Sequence, residues 1–359
     1  MKLKQIGLVL CVALFSISLM AAESCEKIRA AFDVGSGSTK LKVAEVNVCA
    51  NQITKILLDA KEPITYSDDL AAGKPLGRSG FSETIMMQGT AAIARLKAKA
   101  DALHPDEYRA VATAAFREAD NAESYLKQVA QKTGLEIHII SQEKEANVGF
   151  MAAVATLRSN PLHTVSWDIG GGSMQISTEE TSGFLTDLST TASSTFKNKV
   201  LTDILHVDPL MISTPNPLSP SQIEAARKLA QTEAAKVNAN IRKKITAEKG
   251  EVVGLGSVHV LNVQVRVNPL AQFYTRAELA QTVLALADKN DAALGGGAYA
   301  SSALTDLILV LGYMDTLHID KVNTRAINLT DGLLISAIPP YFLSMARGID
   351  ISTISDGTP

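Results

Sequence analysis

The sequence predicts an α/β protein with mixed sheets, built twice on one plan. Two observations carry this. Strand-like apolar runs alternate with helix-period segments along the 359 residues. One uncommon hairpin also occurs twice, around Asp33-Val34-Gly35-Ser36-Gly37-Ser38-Thr39 and around Asp168-Ile169-Gly170-Gly171-Gly172-Ser173. Each reads as apolar strand, Asp, small-residue turn and alternating strand, with the layout Asp-x-Gly-x-x-Ser. A single glycine-rich hairpin is ordinarily a plain β-turn. Two with one layout point to a duplicated domain.

In order, the first hairpin is followed by Gln52 to Asp59 as a third antiparallel strand, then by a loop from Pro63 to Phe81 without apolar periodicity. Ser82 caps a helix through Leu103, with Ile85, Met86, Ile93 and Leu96 on one face. Tyr108 to Thr113 is a strand, Asn121 caps a helix ending at Gly134, and Leu135 to Ile140 is a strand. Gln142 to Leu157 is a helix with Val148, Met151, Ala152 and Ala155 inward. The second half opens near Leu162 with the Asp168 hairpin. A proline-rich loop, Thr214 to Pro220, leads into one long helix to about Ala247. Glu251 to Leu255 is a strand, Thr275 with Glu278 is a capping box, and Ala292 to Ala298 is a Gly/Ala turn. Leu304 to Leu317 is a buried apolar helix, Lys321 to Asn328 a strand and Asp331 to Phe342 the last helix. Ile349 to Pro359 reads as a loose tail.

The hairpins also carry chemistry. Glycine lets a ligand approach the backbone, and successive N–H groups in such a turn form an anion-binding concavity. Backbone groups at Gly35, Ser36, Gly37, Ser38 and Thr39, and at Gly170, Gly171, Gly172 and Ser173, are therefore candidate phosphate contacts. Asp33 and Asp168 cannot hold a phosphate themselves, but two facing carboxylates suit Mg²⁺ or Mn²⁺.

The paired hairpins resemble the two phosphate loops of the superfamily of actin, sugar kinases and heat-shock chaperone ATPases. Within it the chain is most similar to the exopolyphosphatase/guanosine pentaphosphate phosphatase family. Three further stretches carry that likeness: Val111 to Ala119, Ile140 to Ala146, and Val253-Gly254-Leu255-Gly256-Ser257. The resemblance implies two ribonuclease H-like, actin-type domains around an interdomain cleft. These would span 26–158, closed by a C-terminal helix at 331–343, and 159–330. It implies that Glu145, paired with Ala146, is the base that activates water, and that it joins Asp33 and Asp168 around the metal. Glu143 competes for that role, since an acid in a first helical turn also suits the helix dipole. Arg117, matching the family's Thr-x-x-x-Arg from Thr113, would contact phosphate. Gly256 and Ser257 would close the far end of the site, or merely end a strand. His259 reads as structural.

The chain departs from the family pattern at Gly37, at Ser141-Gln142 and at Thr330-Asp331-Gly332. The last loses an Arg and a Glu, which bears on substrate handling.

At the N-terminus, Lys2 and Lys4 precede an apolar run, Ile6 to Met20, and small residues Ala21 and Ala22. This reads as a signal peptide over 1–22 that exports the protein to the periplasm; an uncleaved anchor is the alternative. Cys11 lies inside it, leaving Cys25 and Cys49. A hairpin turning about Gly37 sets these two opposite each other, so a cross-strand disulfide is expected, against two unrelated thiols. A net charge of −3 gives no footprint for a nucleic acid duplex. No stable membrane anchor is expected, and the sequence leaves room for a homodimer.

The expected activity is metal-dependent release of terminal phosphate from polyphosphate, with guanosine pentaphosphate a weaker candidate for an exported protein. An apyrase-like nucleoside tri- and diphosphate hydrolase and a non-catalytic phosphate or nucleotide sensor are the alternatives.

Overall fold

The structure, a computed structural model, describes residues 25–297 and 299–336. The expected signal peptide, the loose tail and the last helix beyond Ser336 lie outside the described residues, as does Ala298. No helix among the described residues is long and apolar enough to cross a membrane.

Alternation of side chains drives the first sheet. Strand β1 (Glu26–Val34) turns into β2 (Ser38–Asn47), and β3 (Gln52–Pro63) extends the antiparallel meander. Leu41 and Val43 enter one core, with Phe32 and Val34, while Ala44 and Val46 enter another across a bulge. Next come α1 (Tyr66–Gly73), α2 (Glu83–Asp101), β4 (Glu107–Ala112), α3 (Ala114–Glu118), α4 (Ala122–Thr133), β5 (His138–Ile139) and α5 (Gln142–Leu157). The sheet order is β3-β2-β1-β4-β5, with β4 and β5 parallel to β1.

The second half repeats the plan. Its strands are β6 (Thr164–Ile169), β7 (Met174–Glu180) and β8 (Gly183–Ser189), followed by α6 (Ser193–Asp203), α7 (Pro220–Ala234), α8 (Ala239–Thr246) and β9 (Glu251–Leu255). A π-helical run, Val258–Gln264, leads into α9 (Val265–Val267), β10 (Phe273–Thr275), α10 (Arg276–Ala285), α11 (Ala300–Thr316), β11 (Lys321–Thr324) and α12 (Leu329–Ile335). The order is β10-β11-β9-β6-β7-β8. Without the edge strand β10, this is the first sheet's order over again. Apolar α11 is buried along nearly its whole length in the second core.

Two helices tie the halves together. Ala152 and Ala153 of α5 pack with Val253 and Leu255 of the second sheet. Helix α12 returns to the first sheet, setting Leu329, Leu333 and Leu334 against Ala31, Ala44, Val46 and Val111. Gly332 lies so close to α5 that a Cβ there would stand 2.4 Å from the Val148 carbonyl oxygen. The Asp331 carboxylate is buried 2.6 Å from Lys42 Nζ, and Asp331 also accepts from the Asn328 N–H, capping the helix.

Several local expectations change. Pro63 to Phe81 is not all loop: α1 forms because Tyr66, Leu70 and Gly73 are buried along one side, with Tyr66 packed on Phe81 and Phe116. Asn121 does not cap α4 with its side chain; its amide pairs with both backbone groups of Phe81. Met151 is 52% exposed, and Val148, Phe150, Ala152 and Ala153 form the buried side of α5. The long helix after Pro220 is two helices, broken where Val237 turns into the core and Asn238 caps α8. The expected strands Leu135 to Ile140 and Lys321 to Asn328 shrink to β5 and β11.

The disulfide Cys25–Cys49 is present, with Cα atoms 5.4 Å apart. Its register differs by one from a turn about Gly37. Val34 pairs with Thr39, so the hairpin centres between Ser36 and Gly37, and Cys49 sits in the turn after β2.

Lys42→Met is expected to leave Asp331 buried and unpaired, lowering stability by about 3–5 kcal/mol in denaturant melts. Lys42→Met with Asp331→Asn, which keeps the capping acceptor, should regain most of that loss.

Candidate active site

The two hairpin tips meet. A Cβ added at Gly172 would lie 3.5 Å from Ser36 Oγ, and one at Gly171 would lie 3.9 Å from Ser36 Cβ. Both turns close alike, the Gly35 N–H donating to the Ser38 carbonyl at 3.0 Å and the Gly170 N–H to the Ser173 carbonyl at 2.9 Å. Those two N–H groups are therefore spent inside the turns. Among the described residues the N–H groups of Ser36, Gly37, Gly171 and Gly172 donate to no protein acceptor. They are the ones left to meet an anion.

The hydroxyls of Ser36 and Ser173 each accept a hydrogen bond within the protein. Ser36 Oγ accepts from the Ala115 N–H, fastening α3 to the first tip. Ser173 Oγ accepts from Gln175. Ser38 and Thr39 are buried, and by alternation Thr39 lies on the Leu41 side of β2, away from the cleft. The N–H groups of Ser193 and Ser194, at the start of α6, hold the Gly170 and Gly171 carbonyls from behind.

Strand register places the acids. Asp33 ends β1 beside Lys40, its cross-strand partner, whose Nζ stands 3.0 Å from the carboxylate. Asp168 holds the equivalent place in β6, but its cross-strand partner is Gln175. Gly256 packs on Asp168 so tightly that a Cβ would fall 2.5 Å from Oδ1, and its φ of +75° also demands glycine. Ser257 beyond it is exposed.

Glu145 lies one turn into α5, whose start is capped by Ser141. Its Oε2 stands 2.9 Å from Arg117 Nη1, which also donates to the Ile140 carbonyl at 3.0 Å. Glu143 is exposed to solvent. Gln142, one of the departures from the family pattern, donates to the Met174 and Ser189 carbonyls and so pins the start of α5 to the second sheet.

These charges feel one another. Burial pushes Glu145 up to about 7; the Asp33 and Asp168 carboxylates add to the rise and Arg117 opposes it. Burial likewise raises Asp168 to about 6, opposed by Lys40. Lys40 is held above the usual lysine range, chiefly by Asp33, with Asp168 and Glu145 contributing. One lysine therefore stands amid three carboxylates. Sequence reading gave Lys40 no role; its signal was the seven-residue offset from Asp33, which sets the two side by side across the hairpin.

The three-carboxylate metal set of Asp33, Asp168 and Glu145 is not preformed. Among the described residues no three acidic, His or Cys side chains close on a common point. The reason is visible in the pairing, since Lys40 holds Asp33 and Arg117 holds Glu145. The donor set fits a hard cation that takes one or two carboxylates and keeps most of its water, which is the habit of Mg²⁺. His259 is structural. It is fully buried, bonded to the Tyr274 hydroxyl at 2.6 Å, packed on Trp167 and kept neutral by burial.

Two halves of one ribonuclease H-like plan, with glycine-rich Asp turns facing across a cleft, define a protein of the actin and sugar-kinase class. The sequence profile of the Ppx/GppA phosphatase family matches residues 70–340, and the chain belongs to that family. A Ppx/GppA family member from Aquifex aeolicus superposes with a TM-score of 0.67 at 17% identity, over 86% of this chain and 97% of that one. An exopolyphosphatase from Cytophaga hutchinsonii superposes with a TM-score of 0.64 at 14% identity, over 85% and 96%. At these identities the likeness is one of fold. The bifunctional 3-dehydroquinate synthase/phosphatase of Fusobacterium nucleatum is 27% identical over 153 residues, 41% of this chain. The chain matches only 22% of the length of that relative.

A raised carboxyl pKa is also a statement about stability. The folded state holds the Glu145 proton more tightly than the unfolded chain, so its contribution is full below about 4.5 and is lost as pH rises through about 7. In chelator, Glu145→Gln is expected to match the parent near pH 4 and to exceed it at pH 8 by up to about 3 kcal/mol. Thermal melts across that range check it.

Proposed function

We propose that the protein is a metal-dependent phosphoanhydride hydrolase that releases terminal phosphate from inorganic polyphosphate. The observation that supports this most is the cluster of Glu145, Arg117, Lys40, Asp33 and Asp168 beside the two turns, tied by two ion pairs and close enough for their charges to act on one another.

The tip N–H groups and Lys40 bind the phosphate chain, while Arg117 holds Glu145 and offers its remaining N–H groups to the terminal phosphoryl oxygens. Asp33 and Asp168 would hold Mg²⁺ or Mn²⁺, which would neutralise charge on the phosphoryl oxygens. Glu145 accepts a proton from water as the water oxygen bonds to the terminal phosphorus. The bond from that phosphorus to the bridging oxygen breaks, leaving orthophosphate and a chain shorter by one. A carboxylate raised by burial is suited to this task, being both ionised and basic near neutral pH.

A second reading is cleavage of nucleoside tri- and diphosphates. It is favoured by the turn sequences Gly35 to Thr39 and Asp168 to Gln175, which resemble apyrase loops. Phosphate release from polyphosphate, ATP, ADP and guanosine pentaphosphate with each metal separates the two. Glu145→Gln is expected to lower turnover by about two to four orders of magnitude. Full activity in that variant would remove the role of Glu145, and silence of the parent on every substrate would leave a phosphate or nucleotide sensor.

The Cys25–Cys49 disulfide and the apolar N-terminal run support export to the periplasm. The mature chain is then expected to begin after Ala21 or Ala22, as N-terminal sequencing of periplasmic protein would read.

A further inference from the structure

Asp33 and Lys40 are two members of a row of three. In the β2–β3 register Lys40 stands opposite Lys61, and directly opposed residues share a face of the sheet. The row Asp33, Lys40, Lys61 therefore crosses three strands on the cleft face, about 10 Å from first Cα to last. Two lysines opposite each other repel, an arrangement that sheets ordinarily avoid. Asp33 offsets Lys40. The Lys61 ammonium instead lies 4.8 Å from the centre of the Tyr299 ring, which comes from the other half of the molecule. Tyr299 is 59% exposed and follows Gly295, Gly296 and Gly297, all with positive φ. The contact spans the cleft one strand outward from the Asp33–Lys40 pair.

We propose that Lys61 is a distal phosphate contact, selecting for condensed phosphate chains long enough to run outward from the turns, and that Tyr299 holds its ammonium until such a chain takes it. A cation over an exposed ring is weakly held, whereas a phosphate oxygen offers a charge-assisted hydrogen bond. A polyanion reaching this rung therefore draws Lys61 off the ring and releases the contact between the halves. This rests on the polyphosphate reading above and adds where the chain runs.

Calorimetric titration of the full chain carrying Glu145→Gln, in Mg²⁺, tests it with long-chain polyphosphate and with tripolyphosphate. Adding Lys61→Ala is expected to weaken long-chain binding about five- to tenfold, the weight of one charge-assisted contact, and tripolyphosphate binding much less. Lys61→Arg should restore most of the affinity. Tyr299→Ala should bind long chains at least as tightly as the parent. Equal loss on both ligands, no loss with Lys61→Ala, a Tyr299→Ala loss matching it, or no long-chain binding by the parent would each overturn the proposal. Because binding is read without turnover, a protein that binds but never hydrolyses would defeat the hydrolase reading and leave this one standing.

Discussion

The site depends on the meeting of two glycine-rich turns, one from each half of the molecule. Gly171 and Gly172 lie against the Ser36 side chain, where an added Cβ would already stand in van der Waals contact. The same turns leave the N–H groups of Ser36, Gly37, Gly171 and Gly172 without a protein acceptor among the described residues. The contact between the halves and the unspent N–H groups thus lie at one place. The rest of the fold serves it: α3 is fastened to Ser36, α6 to the Gly170 turn, and α5 is anchored through Gln142.

Around those tips charge is arranged to be nearly balanced but not comfortable. Three carboxylates share one neighbourhood with Lys40 and Arg117, and burial denies them the solvation that would settle them. A group such as Glu145 is then destabilised when ionised, and that same instability makes it a better proton acceptor. The near symmetry of the hairpins ends at their cross-strand partners. Lys40 sits beside Asp33 but Gln175 beside Asp168, so the fixed cation belongs to the first turn and the second carboxylate stays freer to take a metal.

What could be read from residues alone followed from how local its cause was. The Asp-x-Gly turns, the Ser82 cap and the Thr275–Glu278 box are set by neighbours in sequence, and all were legible. The place of Lys40 needs hairpin register, which shifts with a single residue, as the Cys25–Cys49 pairing shows. Helix α1 was invisible because its apolar positions are few, and it is held by a tertiary cluster of aromatic rings from Phe81, Phe116 and Tyr125. The break before α8 has a local signal, the weak helix formers Val237, Asn238 and Asn240 with Asn238 as cap, and Val237 is drawn into the core there. The cations folded against the expected metal ligands, Lys40 on Asp33 and Arg117 on Glu145, were not legible, because sequence shows acids but not their partners in space.

The changed C-terminal motif has a physical account too. With Arg and Glu replaced by Thr330 and Asp331, the shorter acid reaches back to cap its own helix and meets Lys42 in the first sheet. Lys42 is two residues beyond Lys40 on the same face of β2, so one strand carries both the cation that serves the cleft and the cation that fastens the closing helix. A shift of β2 that moved Lys40 toward substrate would move Lys42 against a buried partner that cannot follow without unseating α12. The pairing of Lys42 with Asp331 therefore fixes the first hairpin against the rest of the molecule.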